Sequence, residues 1–271
     1  MHAREILVGR RLRYLEAEPP ASVRPRGTLV LVHAFPLNAR MWEPQASLAS
    51  GGWRILAPQL RGFDAGATGA PATSMDDYAG DLVDLLDALH VDDAVVGGLS
   101  MGGYVTLALV RLAPRYIRGL ILADTRPQAD TPEGLEGRRQ MLRRLGEGGA
   151  AAVADDMLPK LLGATTRAER PEVVARVREL VLSSAPEAIA GAIAAMMTRP
   201  DSTALLPAIH CPTLVVVGDE DTITPPPLSE DLRARIAGAA LAVIRGAGHL
   251  SNLEQPASFN EALAAFLEHR V

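Results

Sequence analysis

The strongest chemical signal in this 271-residue chain is Gly98-Leu99-Ser100-Met101-Gly102, a serine with a glycine two residues away on each side. A short apolar run, 94–96, precedes it, and a segment that is apolar almost all round, 101–112, follows. Between a strand and a buried helix, such a serine sits on a sharp turn with its hydroxyl exposed, and the glycines let neighbouring backbone pass without a Cβ clash. The start of the helix adds unpaired N–H groups and the positive end of the helix dipole. Those features suit a nucleophile whose target carbonyl oxygen becomes negatively charged.

A serine hydroxyl is a weak nucleophile and needs a base. Of the six histidines, His2 and His269 lie near the ends of the chain, His90 closes a helical pattern and reads as its C-terminal cap, and His210 precedes a strand and reads as structural. His33 follows the apolar run 28–32 but comes before the nucleophile. His249, in Gly246-Ala247-Gly248-His249-Leu250 after the last strand, is the expected base. Its imidazole needs a carboxylate to fix the tautomer and stabilise the cation. Gly218-Asp219-Glu220-Asp221 offers three acids after the run 213–217, with Asp221 deepest in the loop; Asp124, at the end of 119–123, is the competitor. Two backbone N–H groups should receive the oxyanion. One is that of Met101. The other comes from His33-Ala34-Phe35-Pro36, where Pro36 has no N–H and Phe35 is the natural donor.

The elements that must carry these groups are legible as a pattern. Continuous apolar runs at 28–32, 54–57, 94–96, 119–123, 213–217 and 241–244 read as parallel strands buried on both faces. Residues 4–8 and 11–16 alternate instead and predict an antiparallel edge hairpin turning at Gly9. Helical patterns at 77–89, 101–112 and from Pro256 onward complete a strand–helix alternation, which implies a mostly parallel sheet. Residues 66–71 read as a loop. From 125 to 206 no strand pattern appears, and prolines punctuate what reads as about four short helices inserted between two strands.

Taken together, His33-Ala34-Phe35-Pro36, Arg61-Gly62, Gly98-Leu99-Ser100-Met101-Gly102-Gly103, Gly218 through Asp221 with Pro225, and Gly248-His249 resemble the α/β-hydrolase superfamily over nearly the whole chain. The ending Gly248-His249-Leu250-Ser251-Asn252-Leu253-Glu254-Gln255-Pro256 is similar to that of 3-oxoadipate enol-lactonases, within a group of small esterases and cofactor-free perhydrolases. The chain departs from its relatives at Ala34, where a glycine is usual, at Gln59, where an aspartate is common, and at Asp64, where a glycine is common. The resemblance implies an α/β fold with an eight-stranded, mostly parallel sheet flanked by helices. It also implies a helical cap after the sixth strand, dividing the chain into a core of 1–124 and 207–271 and a cap of 125–206.

The expected chemistry is acyl transfer on a carboxylic ester or lactone. Ser100, His249 and Asp221 form the triad, and Phe35 and Met101 form the oxyanion hole. Enol-lactone, peracid or C–C bond chemistry on the same triad is the alternative, and a non-catalytic binding protein of this fold is the rival of another class. No metal-ligand spacing or nucleotide fingerprint appears, so no metal and no cofactor are expected. The balance of 27 basic and 32 acidic residues carries no footprint for nucleic acid or an anionic membrane. A lone cysteine, Cys211, and the lack of a long apolar run point to a cytoplasmic protein with a small-molecule substrate. The oligomeric state is left open. Few aromatics and no basic cluster suit a small, uncharged or modestly polar acyl group; a carboxylated substrate would call on Arg126, Arg138 or Arg139. Met157, Leu161, Leu162, Met196 and Met197 are either pocket wall or plain helix packing.

Overall fold

A computed structural model describes residues 1–63 and 72–271. The loop expected at 66–71 and the Asp64 substitution lie outside the described residues. Eight strands form one sheet: β1 (His2–Val8), β2 (Arg10–Ala17), β3 (Gly27–Val32), β4 (Trp53–Pro58), β5 (Ala94–Leu99), β6 (Ile117–Ala123), β7 (Thr213–Gly218) and β8 (Ala240–Ile244). Their order across the sheet is β1-β2-β4-β3-β5-β6-β7-β8. Strands β3 to β8 run parallel, whereas β1 and β2 form an antiparallel hairpin at the edge, turning at Gly9 in the left-handed region (φ 62°). Every residue of β5 and β7 is buried, which is why these strands read as unbroken apolar runs.

The chain moves outward from β3 to β4, then crosses back to place β5 on the other side of β3. At such a reversal the loops leaving the two adjacent strands diverge, and a crevice opens at their carboxyl ends. The loops in question are those after β3 and β5, which carry Phe35 and Ser100.

Helix α1 (Met75–Ala88) begins at a reciprocal cap in which Ser74 accepts from the Asp77 N–H and Asp77 accepts from the Ser74 N–H. Helix α2 (Met101–Leu112) is buried through Leu109, and packing all round accounts for its uniformly apolar sequence. Between β6 and β7 lie α3 (Pro132–Leu161), α4 (Ala164–Glu169), α5 (Pro171–Leu182) and α6 (Pro186–Met197), with no strand. These are the four expected helices, but the first is long; it breaks at Gly149, whose φ of 62° and ψ of −157° are not helical. Leu145, Val153, Met157, Leu161, Val177, Ile189 and Met196 join the same continuous core as the sheet. Helices α7 (Pro226–Arg235), α8 (Ser251–Glu254) and α9 (Pro256–His269) complete the chain. Among the described residues, no single helix is long and apolar enough to cross a membrane.

Two ends of the 125–206 segment are clamped together. Asp130, near its start, pairs with Arg199, near its end, at 2.9 Å, and both side chains are almost fully buried. Arg126 and Arg138 also reach Asp130, at 2.9 and 3.2 Å. The Arg199 guanidinium lies 4.0 Å from the centre of the Tyr104 ring, which ties the clamp to α2.

Candidate active site

Ser100 stands between β5 and α2 with φ 55° and ψ −114°, a conformation that a side chain other than glycine rarely adopts. Contacts on every side enforce it. A Cβ on Gly98 would lie 2.1 Å from the Gly102 carbonyl oxygen, and one on Gly102 would lie 2.1 Å from that of Val32. The Ser100 N–H donates to Ala123 O at 2.9 Å, and Thr125 Oγ1 donates to Ser100 O at 2.8 Å. The spacing of the two glycines is therefore the packing requirement of a turn wedged between β3 and β6.

The imidazole of His249 faces this serine. Its Nε2 lies 2.7 Å from Ser100 Oγ, and its Nδ1 lies 2.8 Å from Asp221 Oδ2. The carboxylate acts as acceptor, so Nδ1 carries the proton and Nε2 is left to accept from the serine hydroxyl. Asp221 is itself fully engaged. Its Oδ1 accepts from the N–H groups of Ile223 (2.8 Å) and Thr224 (3.0 Å), and its Oδ2 accepts from Thr224 Oγ1 at 2.6 Å. Burial pushes the Asp221 carboxyl up, but the charge and hydrogen bond of His249, with those of Thr224, outweigh burial and hold it below the usual aspartate value.

Asp124 has the opposite character. It is fully buried, accepts from the Gly218 N–H at 2.9 Å and from Ser251 Oγ, and makes no hydrogen bond to His249. Burial, with the charge of Asp221 added, raises its pKa well above the ordinary range. Its two oxygens are taken up by Gly218 and Ser251, so the structure brings together Ser100, His249 and Asp221 and leaves Asp124 as a brace between the loops.

On the other side of Ser100, the loop after β3 presents the Phe35 N–H, which makes no hydrogen bond among the described residues. Met101 opens α2, so its N–H has no intrahelical acceptor. His33 is fully buried beneath this loop: its Nε2 accepts from the Leu60 N–H at 3.1 Å, and its Nδ1 lies 3.1 Å from Ala34 O. Burial lowers its pKa to about 4, so it is a neutral structural group. Gln59 accepts from the Ala39 N–H at 3.1 Å and so takes part in the same loop.

The arginines considered for a carboxylated substrate are committed elsewhere. Arg126 and Arg138 pair with Asp130, and Arg139 with Glu136. Met157, Leu161, Leu162 and Met196 are buried in the core and Met197 packs against it. Three engaged residues escaped the sequence reading. Thr224 has a readable signal, because an Asp three residues before a Thr commonly closes a local side-chain–backbone turn. Glu254 is fully buried and accepts from the N–H groups of Gly163 (2.8 Å) and Leu250 (3.2 Å); Asn38 bonds across to Ser183. Gly163 and Ser183 are distant in sequence from Glu254 and Asn38, and spacing reveals neither contact.

The match to a family model described as "Alpha/beta hydrolase family" covers residues 29–262. The 3-oxoadipate enol-lactonase 2 of Acinetobacter baylyi is 26% identical over 243 residues, covering 90% of this chain and 89% of that protein. A provisionally named non-heme chloroperoxidase of Synechocystis is 30% identical over 258 residues, covering 89% of this chain and 91% of that one. A thermophilic esterase of Thermogutta terrifontis, solved with malate bound, superposes with a TM-score of 0.91 at 36% identity, covering 99% of this chain and 98% of that one.

Proposed function

The chain belongs to the alpha/beta hydrolase family, and on that premise we propose that it cleaves carboxylic esters or lactones through an acyl-enzyme on Ser100. The observation that carries this reading is the continuous relay from Ser100 Oγ through His249 to Asp221, at 2.7 and 2.8 Å. His249 Nε2 takes the hydroxyl proton as Ser100 Oγ attacks the carbonyl carbon. The N–H groups of Phe35 and Met101 receive the oxyanion, and the strained elbow presents Oγ between them and the base. Collapse expels the alcohol, which takes its proton from His249. Water, deprotonated by the same nitrogen, then releases the acid. Asp221 stays ionised throughout, as its lowered pKa requires. Residues 1–124 and 207–271 form the catalytic core, and 125–206 cap it and supply pocket wall. The single cysteine suits work in a reducing compartment such as the cytoplasm.

Similarity to the Acinetobacter enol-lactonase favours lactones among the substrates, and similarity to the Synechocystis protein favours peroxide as an alternative acceptor to water. The test is hydrolysis of a panel of p-nitrophenyl esters and simple lactones by wild type and Ser100→Ala side by side. Turnover by wild type and its loss in the variant are expected; equal turnover by both refutes the assignment. Adding hydrogen peroxide to the same assay and measuring peracid identifies the acceptor.

A further inference from the structure

The loop that presents the Phe35 N–H is held from three directions. From the core, His33 fixes Ala34 and Leu60. From the 3₁₀ helix that follows (Ala39–Gly51), Met41 Sδ accepts from the Ala34 N–H at 3.1 Å, and Asn38 O accepts from the Met41 N–H at 3.0 Å. The third hold comes from the inserted helices. Asn38 Nδ2 donates to Ser183 Oγ at 2.8 Å and to Leu180 O at 3.4 Å, both at the C-terminal end of α5. Beside it, Ser184 Oγ donates to Pro36 O at 3.0 Å. Asn38 and Ser184 are only 5% and 3% exposed, so water cannot replace these bonds without opening the seam.

Pro36 and Asn38 flank the proposed oxyanion donor by one and three residues. The side chains that fix them, those of Ser183 and Ser184, stand immediately after α5, and neither touches the reacting atoms. We infer that Asn38 and Ser184 are positioning residues for the oxyanion hole, transmitting the placement of α5 to the Phe35 N–H. The inference rests on the function proposed above. An oxyanion donor acts on charge that exists only in the transition state, so misplacing it lowers kcat and spares ground-state binding. Deleting one such donor outright costs about 10²–10³-fold, and a donor displaced but still present should cost about tenfold.

Asn38→Asp separates two roles of one side chain. Aspartate still accepts from the Arg40 N–H, as Asn38 Oδ1 does at 3.0 Å, and so preserves the helix cap. It has no proton for Ser183 or Leu180. Ser184→Ala removes one hydroxyl and leaves the rest of the seam, so it serves as a second variant should the first fold poorly. Each is compared with wild type for kcat, KM, melting temperature and affinity for an alkyl boronic acid, which forms a tetrahedral anionic adduct on a serine nucleophile. The expected result is a fall in kcat of about tenfold with KM within about twofold, and boronate affinity weakened by the same factor as kcat/KM. Wild-type kinetics and boronate affinity in both variants, whatever their melting temperatures, overturn this inference alone; so does a change confined to KM. Absence of both turnover and boronate binding in wild type overturns the proposed function together with it.

Discussion

Acidification tests the buried His33 directly. In the unfolded chain this imidazole titrates near 6.5, and in the fold burial lowers it to about 4. Below 6.5 the unfolded chain therefore takes up a proton that the native protein refuses. Stability carried by neutral His33 is complete above 6.5 and is lost as pH falls from there towards 4. Linkage between these two values gives a loss of about 2.5 kcal/mol from this one residue between pH 7.5 and 4.5. Carboxylates titrate over the same interval, so the comparison needs a variant. His33→Gln offers an oxygen to the Leu60 N–H in place of Nε2 and has no proton to gain. Urea unfolding of both proteins at pH 7.5 and 4.5 should show wild type losing about 2.5 kcal/mol more than His33→Gln, whatever constant offset the substitution introduces. Equal losses would mean that His33 is as easily protonated in the fold as outside it, and the argument from burial would fail.

Asp221→Asn removes the acceptor that holds the His249 tautomer and should lower kcat by about 10³–10⁴-fold. Asp124→Asn should leave kcat within a few-fold in the same ester assay, because Asp124 braces loops and makes no bond to His249. Since a native carboxyl with a raised pKa loses stability as pH rises above its unfolded value, Asp124→Asn should melt above wild type at pH 8 and lose that advantage towards pH 4. Gly102→Ala places a Cβ 2.1 Å from the Val32 carbonyl oxygen, a backbone atom that cannot step aside, and should cost about 3 kcal/mol or more in urea unfolding.

The parts of the fold that were legible in the sequence are those where burial is uniform or strictly periodic. Strands β3, β5 and β7 are buried on both faces and appear as unbroken apolar runs, and α2 is packed on nearly all sides. Helix α7 escaped because it buries only Ser229 and Leu232, too little to write a period into ten residues. The 3₁₀ helix at Ala39–Gly51 escaped because it contains Pro44 and lacks the 3.6-residue repeat. In the site, Ser100, Asp221 and His249 stood out because each follows a strand in a glycine-containing loop. The sequence favours Asp221, deepest in its loop, with Asp124 as competitor because both follow strands; a hydrogen bond to Nδ1 and opposite pKa shifts separate them. The long-range contacts of Asn38, Ser184 and Glu254 were invisible because Ser183, Pro36 and Gly163 are brought near them only by folding.

The central claim is that Ser100 is an activated nucleophile. Reaction with a fluorophosphonate probe, followed by peptide mass spectrometry, tests it without knowledge of the substrate. The account predicts a single adduct on Ser100, absent in Ser100→Ala and formed far more slowly in His249→Ala. An adduct on another serine, or no adduct from a folded protein that hydrolyses esters, would contradict it.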